Sequence, residues 1–192
     1  MKKKVYIFLF NGFSDWEIAY ATPELKKHKE YELVYFTSDG NSALSMGGLN
    51  VSPSTSLNEI KASEIDMLIL PGGTAWEEGK NREIDKLVRI LAEENKTIAA
   101  ICAATTYLGN LGLLDNVQHT SNDVNYLKAI VPEYKGENNY INSFAVTGDN
   151  IITANGIGTI EFACEIFKKL NLYNDTDLEN WFQLFKNGVW KG

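Results

Sequence analysis

Two cysteines and two histidines occur among 192 residues, so thiol or imidazole chemistry has few possible bearers in this chain. Cys102 stands out by position. It closes "TIAAIC" (97–102), a run suited to a buried strand, and "AATTYLGNLGLL" follows as helix with no glycine or proline between. A thiol at such a corner points into the crevice beyond the strand end. Unpaired N–H groups at the start of the following helix favour thiolate over thiol and can hold a developing oxyanion. The geometry is that of a nucleophile elbow without its flanking glycines. Cys164, in "EFACEIF", falls on the apolar face of a helix and reads as a core side chain.

Two further strand ends should face the same crevice. "LPGGT" leaves the backbone of Gly72 and Gly73 open to close approach, as a second oxyanion donor requires. "NGFSDWE" leads from the first apolar run to Glu17. Buried beside Cys102, that carboxyl is pushed towards its protonated form and can then donate a hydrogen bond to the sulfur; ionised, it repels the thiolate. His119, in "VQHTS", follows the cysteine helix and is the candidate general base or imidazolium partner. His28 lies in the charged run "KKHKE" and is set aside.

These residues need a scaffold, and the chain alternates accordingly. Strands are expected at "VYIFLF" (5–10), "YELVYFTS" (31–38), "EIDMLILPGG" (64–73) and "TIAAIC", with a hairpin over "NSFAVTGDNIITAN" (142–155). Helices are expected over residues 14–29, interrupted at Pro23, and over 81–96, 103–114, 123–132, 159–171 and 176–185. Residues 41–60 read as a loop with a short hairpin. Apolar strands separated by helices imply a mostly parallel sheet covered on both faces, a flavodoxin-like three-layer α/β/α sandwich. Ligands in such folds bind beyond the carboxyl ends of the strands. One domain is expected over 1–192, with 172–192 as a C-terminal helical extension.

Taken in order, "VYIFLFNGFSDWEIAYATPEL", "SLNEIKASEIDMLILPGG", "TIAAICAAT", "QHTS" and "IITANGIGTIEFACEIF" resemble the ThiJ/PfpI superfamily, the DJ-one-like branch of the class I glutamine amidotransferase-like fold. The resemblance runs from about residue 3 to 170. It implies a nucleophilic cysteine at Cys102, a glutamate on the sulfur at Glu17, a histidine after the elbow helix at His119, and oxyanion N–H groups at Gly73 and Ala103. It implies that residues 153–159 line the crevice, and that the protein is a homodimer. Ala103 stands where the intracellular peptidase branch carries histidine, which argues against proteolysis.

Composition narrows the partners. With 44% hydrophobic residues and a net charge of −7, the chain is of globular type and lacks the basic balance expected of a nucleic-acid or anionic-membrane binder. The apolar run near the N-terminus is too short for a membrane span and meets "NGFSDWE" without a cleavage pattern, so it reads as a first strand. Two cysteines do not make a disulfide framework, and a cytoplasmic location is expected. No spacing suggests a metal site or a nucleotide-phosphate loop, so no cofactor is expected. The leading expectation is a cysteine-dependent enzyme, of hydrolase, amidase or glyoxalase/deglycase type, acting on a small carbonyl or amide. A redox sensor of stress-response type working through oxidation of Cys102 ranks second, and an intracellular peptidase third.

Overall fold

The computed structural model describes residues 2–191. Nine strands and six α-helices follow one another as β1 (Lys3–Phe8), α1 (Ala21–Lys27), β2 (Tyr31–Thr37), β3 (Ala43–Leu44), β4 (Asn50–Val51), β5 (Thr55–Ser56), β6 (Met67–Leu70), α2 (Asp85–Glu93), β7 (Thr97–Ile101), α3 (Ala104–Asn110), α4 (Val124–Ile130), β8 (Ala145–Gly148), β9 (Ile151–Ala154), α5 (Thr159–Leu170) and α6 (Asp175–Asn187). Seven strands form one sheet in the order β5-β2-β1-β6-β7-β9-β8, parallel except for β8. β3 and β4 make a separate antiparallel hairpin. Helices α1, α5 and α6 cover one face of the sheet, and α2, α3 and α4 the other. The expected flavodoxin-like three-layer sandwich is therefore what the chain forms.

The central strands β6 and β7 are buried along their whole length, which is why their sequences are apolar throughout rather than alternating. The apolar stripe of α2 places Leu87, Val88 and Leu91 in the core. Some boundaries differ from the sequence reading for local reasons. The segment 14–29 is divided at residues 18–20, into a 3₁₀ turn (Asp15–Glu17) and α1. Pro23 causes no kink because it falls in the first turn of α1, where its missing N–H is not needed. The helix after Cys102 stops at Asn110, and Gly112, at φ +73°, turns the chain away. At the C-terminal side, α6 packs on α5 through Trp181 against Phe167, with Tyr20 meeting the same indole. No helix among the described residues is long and apolar enough to cross a membrane.

One consequence of the topology matters most. The carboxyl ends of β1, β6, β7 and β9, neighbours in the sheet, open on one crevice, and Cys102 follows directly from β7. On the rim of that crevice α4 is started by Asp123, whose carboxylate accepts from the N–H groups of Asn125 (2.7 Å) and Tyr126 (3.3 Å). Asp123→Ala is expected to lower stability by about 1 kcal/mol in chemical denaturation.

Candidate active site

Cys102 adopts φ 59°, a left-handed conformation that costs a residue with a Cβ roughly a kcal/mol or more. The strain is held from both sides. The Cys102 N–H donates to Ala154 O at 2.9 Å, continuing the β7–β9 pairing. Its carbonyl accepts from the Thr105 N–H at 3.1 Å and the Thr105 hydroxyl at 2.6 Å. The buried Thr105 hydroxyl also meets Ser121 at 2.6 Å, tying the elbow to the segment that passes over it. This is the corner the sequence implied: a partly exposed thiol on a sharp strand-to-helix turn.

Glu17 is brought to the corner by two backbone contacts. Ser14 N–H donates to Gly72 O at 3.0 Å, and Gly72 N–H donates to the Glu17 carboxyl at 2.5 Å. Glu17 is 1% exposed, and its other oxygen, Oε1, is buried without a hydrogen-bond partner. The carboxyl lies within interaction range of the Cys102 thiol and the Ser14 hydroxyl. Gly72 is required by space: a Cβ there would stand 2.7 Å from Glu17 Oε2 and 2.8 Å from Cys102 Cβ. Gly73, at φ +149°, has its Cβ position filled by Gly12 O (2.7 Å) and the Phe10 ring (2.8 Å). The expectation of two open N–H groups is corrected here. The Gly72 N–H is committed to Glu17, which leaves Gly73, while the Ala103 N–H faces the Cys102 sulfur.

Among the described residues no cation offsets the Glu17 carboxyl, and burial lifts its pKa from 4.5 to about 7. The thiol is lifted too, to about 11, first by burial and then by the Glu17 charge, while the Asn122 amide and Ala103 N–H pull the other way. This reverses the expectation of a thiol that is acidic at rest. A turn's worth of oriented N–H groups does not outweigh desolvation and an adjacent carboxylate. The two groups are coupled: burial raises both, and an ionised Glu17 makes the thiol harder still to ionise.

His119 does not join them. It is fully buried, with Nδ1 on Val117 O (2.7 Å) and Nε2 on the Tyr134 hydroxyl (2.5 Å). The carbonyl can only accept, so Nδ1 donates and Nε2 accepts from Tyr134. Burial lowers the His119 pKa, so the ring is a neutral strut with both nitrogens occupied. Its backbone bridges to Tyr140, and with Thr120 N–H on Thr153 Oγ1 (2.8 Å) it fixes the segment 119–122 over the strand ends.

That segment delivers a residue the sequence reading missed. Asn122 Nδ2 donates to Cys102 Sγ at 3.4 Å, and its Oδ1 accepts from Gly156 N–H at 2.9 Å. Gly156 comes from the "NGIG" turn after β9, and a Cβ there would lie 2.8 Å from the sulfur. A lone asparagine three residues beyond a histidine carries no signal of its own. Only the path of the chain shows it. Among the described residues no group of His, Cys, Asp or Glu is placed to hold a metal ion.

Fold and site together define a class: flavodoxin-like α/β proteins with a cysteine on a strained strand–helix elbow, backed by a buried glutamate from the first strand's loop. The DJ-1/PfpI family pattern matches residues 3–169, and the chain belongs to that family. It is 39% identical over 191 residues to a Bacillus subtilis (strain 168) protein carrying the name "Uncharacterized protease YoaZ", covering 96% of this chain and 91% of that one. Its structure superposes with TM-score 0.89 on the DJ-1 superfamily protein Atu0886 from Agrobacterium tumefaciens (36% identity, 97% and 98% of the two chains). Against a thiJ/pfpI family protein from Bacillus anthracis the TM-score is 0.90 (35% identity, 98% and 92%).

Glu17→Gln tests the burial of the carboxyl. The folded pKa lies above the unfolded one, so unfolded chains lose the proton first, and the fold loses stability as pH rises from 4.5 to about 7. Glutamine keeps an acceptor for Gly72 and never ionises. The variant is expected to gain about 1–3 kcal/mol over the wild type at about pH 8, and little below about pH 4, in urea melts. Gly156→Ala pushes a methyl at the sulfur and is expected to slow iodoacetamide alkylation of Cys102 roughly tenfold, read by peptide mass.

Proposed function

We propose that the protein is a cysteine-dependent enzyme acting on small carbonyl compounds, with Cys102 as nucleophile and Glu17 as the group that takes and returns its proton. The observation that carries this reading is a buried carboxyl, with no counterion and one unpartnered oxygen, set against the thiol. In the singly protonated pair the thiol proton moves to Glu17 as sulfur bonds to the carbonyl carbon. The C=O electron pair goes to oxygen, where the N–H groups of Gly73 and Ala103 receive it. A carboxyl with a pKa of about 7 is matched to transfer in both directions near neutrality. His119 has no part in this scheme, since both its nitrogens are engaged elsewhere.

Relatives support the carbonyl class. A Pyrococcus furiosus relative, 30% identical over 120 residues, is named deglycase, and a Caenorhabditis elegans relative, 27% identical over 144 residues, is named glutathione-independent glyoxalase. A 2-oxoaldehyde is therefore the first substrate to test, with small amides second. A peptidase would need an activating base on the sulfur besides Glu17, and among the described residues no imidazole contacts it. The exposed apolar side chains Trp16, Leu44, Met46 and Leu49 lie on neighbouring segments beside the Glu17 turn and support a homodimer in this reading.

Turnover of 2-oxoaldehydes is expected to vanish in Cys102→Ala and to fall about a hundred- to ten-thousand-fold in Glu17→Gln. The kcat/KM profile should be bell-shaped. Its acid limb lies near 7, where Glu17 ionises, and its alkaline limb tends towards 11, where the pair loses its last proton. Wild-type protein inert towards both aldehyde and amide panels defeats the proposal.

A second reading rests on the same carboxyl. Protonated Glu17 is placed to donate to an oxidised sulfur, which suits a sensor that holds Cys102 as sulfinic acid. Mild peroxide should then add two oxygen atoms stably to Cys102, and less stably in Glu17→Ala, by intact and peptide mass.

A further inference from the structure

The crevice has a second wall that the proposed chemistry does not use. Asn122 is exposed at its lip, with its amide carbon held between two fixed partners: Oδ1 on Gly156 N–H at 2.9 Å and Nδ2 on Cys102 Sγ at 3.4 Å. The Gly156 contact settles the orientation, because a backbone N–H can only be met by the amide oxygen, which leaves the NH₂ facing the sulfur. The hydroxyl of Tyr126, in the first turn of α4, is within interaction range of the amide. That hydroxyl donates to Glu77 Oε1 at 2.6 Å. Glu77 comes from the loop after β6, on the far side of the crevice mouth, so the contact joins α4 to the glycine loop that follows Gly73.

We propose that Asn122 is a thiolate-holding residue at the reacting atom, and that Tyr126 and Glu77 are positioning residues acting through it. An amide N–H aimed at sulfur stabilises the anion more than the neutral thiol, because hydrogen bonds to a charged acceptor are about twice as strong. It makes up on one side for the repulsion that Glu17 exerts on the other. Tyr126 gives its proton to Glu77, which leaves its oxygen as an acceptor within interaction range of the Asn122 amide. The groups facing the sulfur are thus Glu17 from the turn before α1, Ala103 N–H from the elbow, and Asn122 with Tyr126 from the rim; Glu77 stands behind Tyr126. This inference rests on the reading of Cys102 as a nucleophile, but its test does not need the substrate.

Iodoacetamide alkylation of Cys102, followed by peptide mass so that Cys164 is separated, is measured alongside ultraviolet thiolate absorbance against pH. Asn122→Ala should slow alkylation at about pH 8 roughly three- to tenfold and move the thiolate absorbance to higher pH by about half a unit to one unit. Asn122→Asp keeps the shape but replaces the donor with a carboxylate, and should be slower still. The added carboxylate repels the thiolate whatever the amide does, so Asn122→Ala is the deciding variant. Tyr126→Phe and Glu77→Ala should each give a smaller loss in the same direction, and none on top of Asn122→Ala. Unchanged alkylation and absorbance in Asn122→Ala overturns the proposal. A Tyr126→Phe loss undiminished in the Asn122→Ala background overturns the relay. If the alkylation series behaves as stated but no carbonyl substrate turns over, the proposed enzyme activity fails and the role of Asn122 stands.

Discussion

One proton between a buried carboxyl and a half-buried thiol is the constraint around which this molecule is arranged. Glu17 and Cys102 sit within range of each other, and among the described residues no lysine or arginine neutralises either. In such a place both groups prefer to be neutral, and each ionised group makes ionisation of the other harder. The fold accepts this. A carboxylate at 1% exposure is costly at neutral pH, and only a supporting framework with stability to spare can hold it. The result is a thiol that resists ionisation at rest with a carboxyl within interaction range. On the proposed reading, reactivity depends on where the proton sits when a substrate arrives, and not on a standing thiolate.

The framework does this with close backbone approach. Gly72 lets Glu17 and the Cys102 Cβ meet over its bare Cα, and Gly156 leaves room for the sulfur itself. These two glycines are needed for space and not for an unusual φ. Gly73 is needed for both. The strained φ of Cys102 is tolerable because its N–H belongs to the sheet and its carbonyl to Thr105. The site is therefore supported by the ends of four parallel strands, and any change that moves β6 or β9 moves the sulfur's surroundings directly.

Much of this was legible in the residue pattern. Apolar runs between amphipathic segments identify a covered parallel sheet, and the same pattern places Cys102, "PGG" and "DWE" at adjacent strand ends. Two things were not legible. The charge state of the thiol depends on the balance between a helix start and desolvation, and the sequence shows only the first. His119 is singled out by its chemistry, whereas its ring is enclosed by the backbone carbonyl of Val117 and the hydroxyl of Tyr134, contacts that a residue pattern does not show. Those contacts turn a plausible base into a strut, and the strut in turn carries Asn122 to the sulfur. Sequence proximity found the right segment and the wrong residue on it.

The exposed position of Asn122 divides the site into two parts of different tolerance. Cys102, Glu17 and the three glycines are fixed at or beside the strand ends, where a Cβ on Gly72, Gly73 or Gly156 would meet atoms closer than 3 Å. The Asn122 amide is the exposed end of an otherwise buried segment, and its structural tie is one hydrogen bond from Gly156 N–H. On the proposed reading, this single rim position is where the readiness of the sulfur is tuned, apart from the strand ends that carry it.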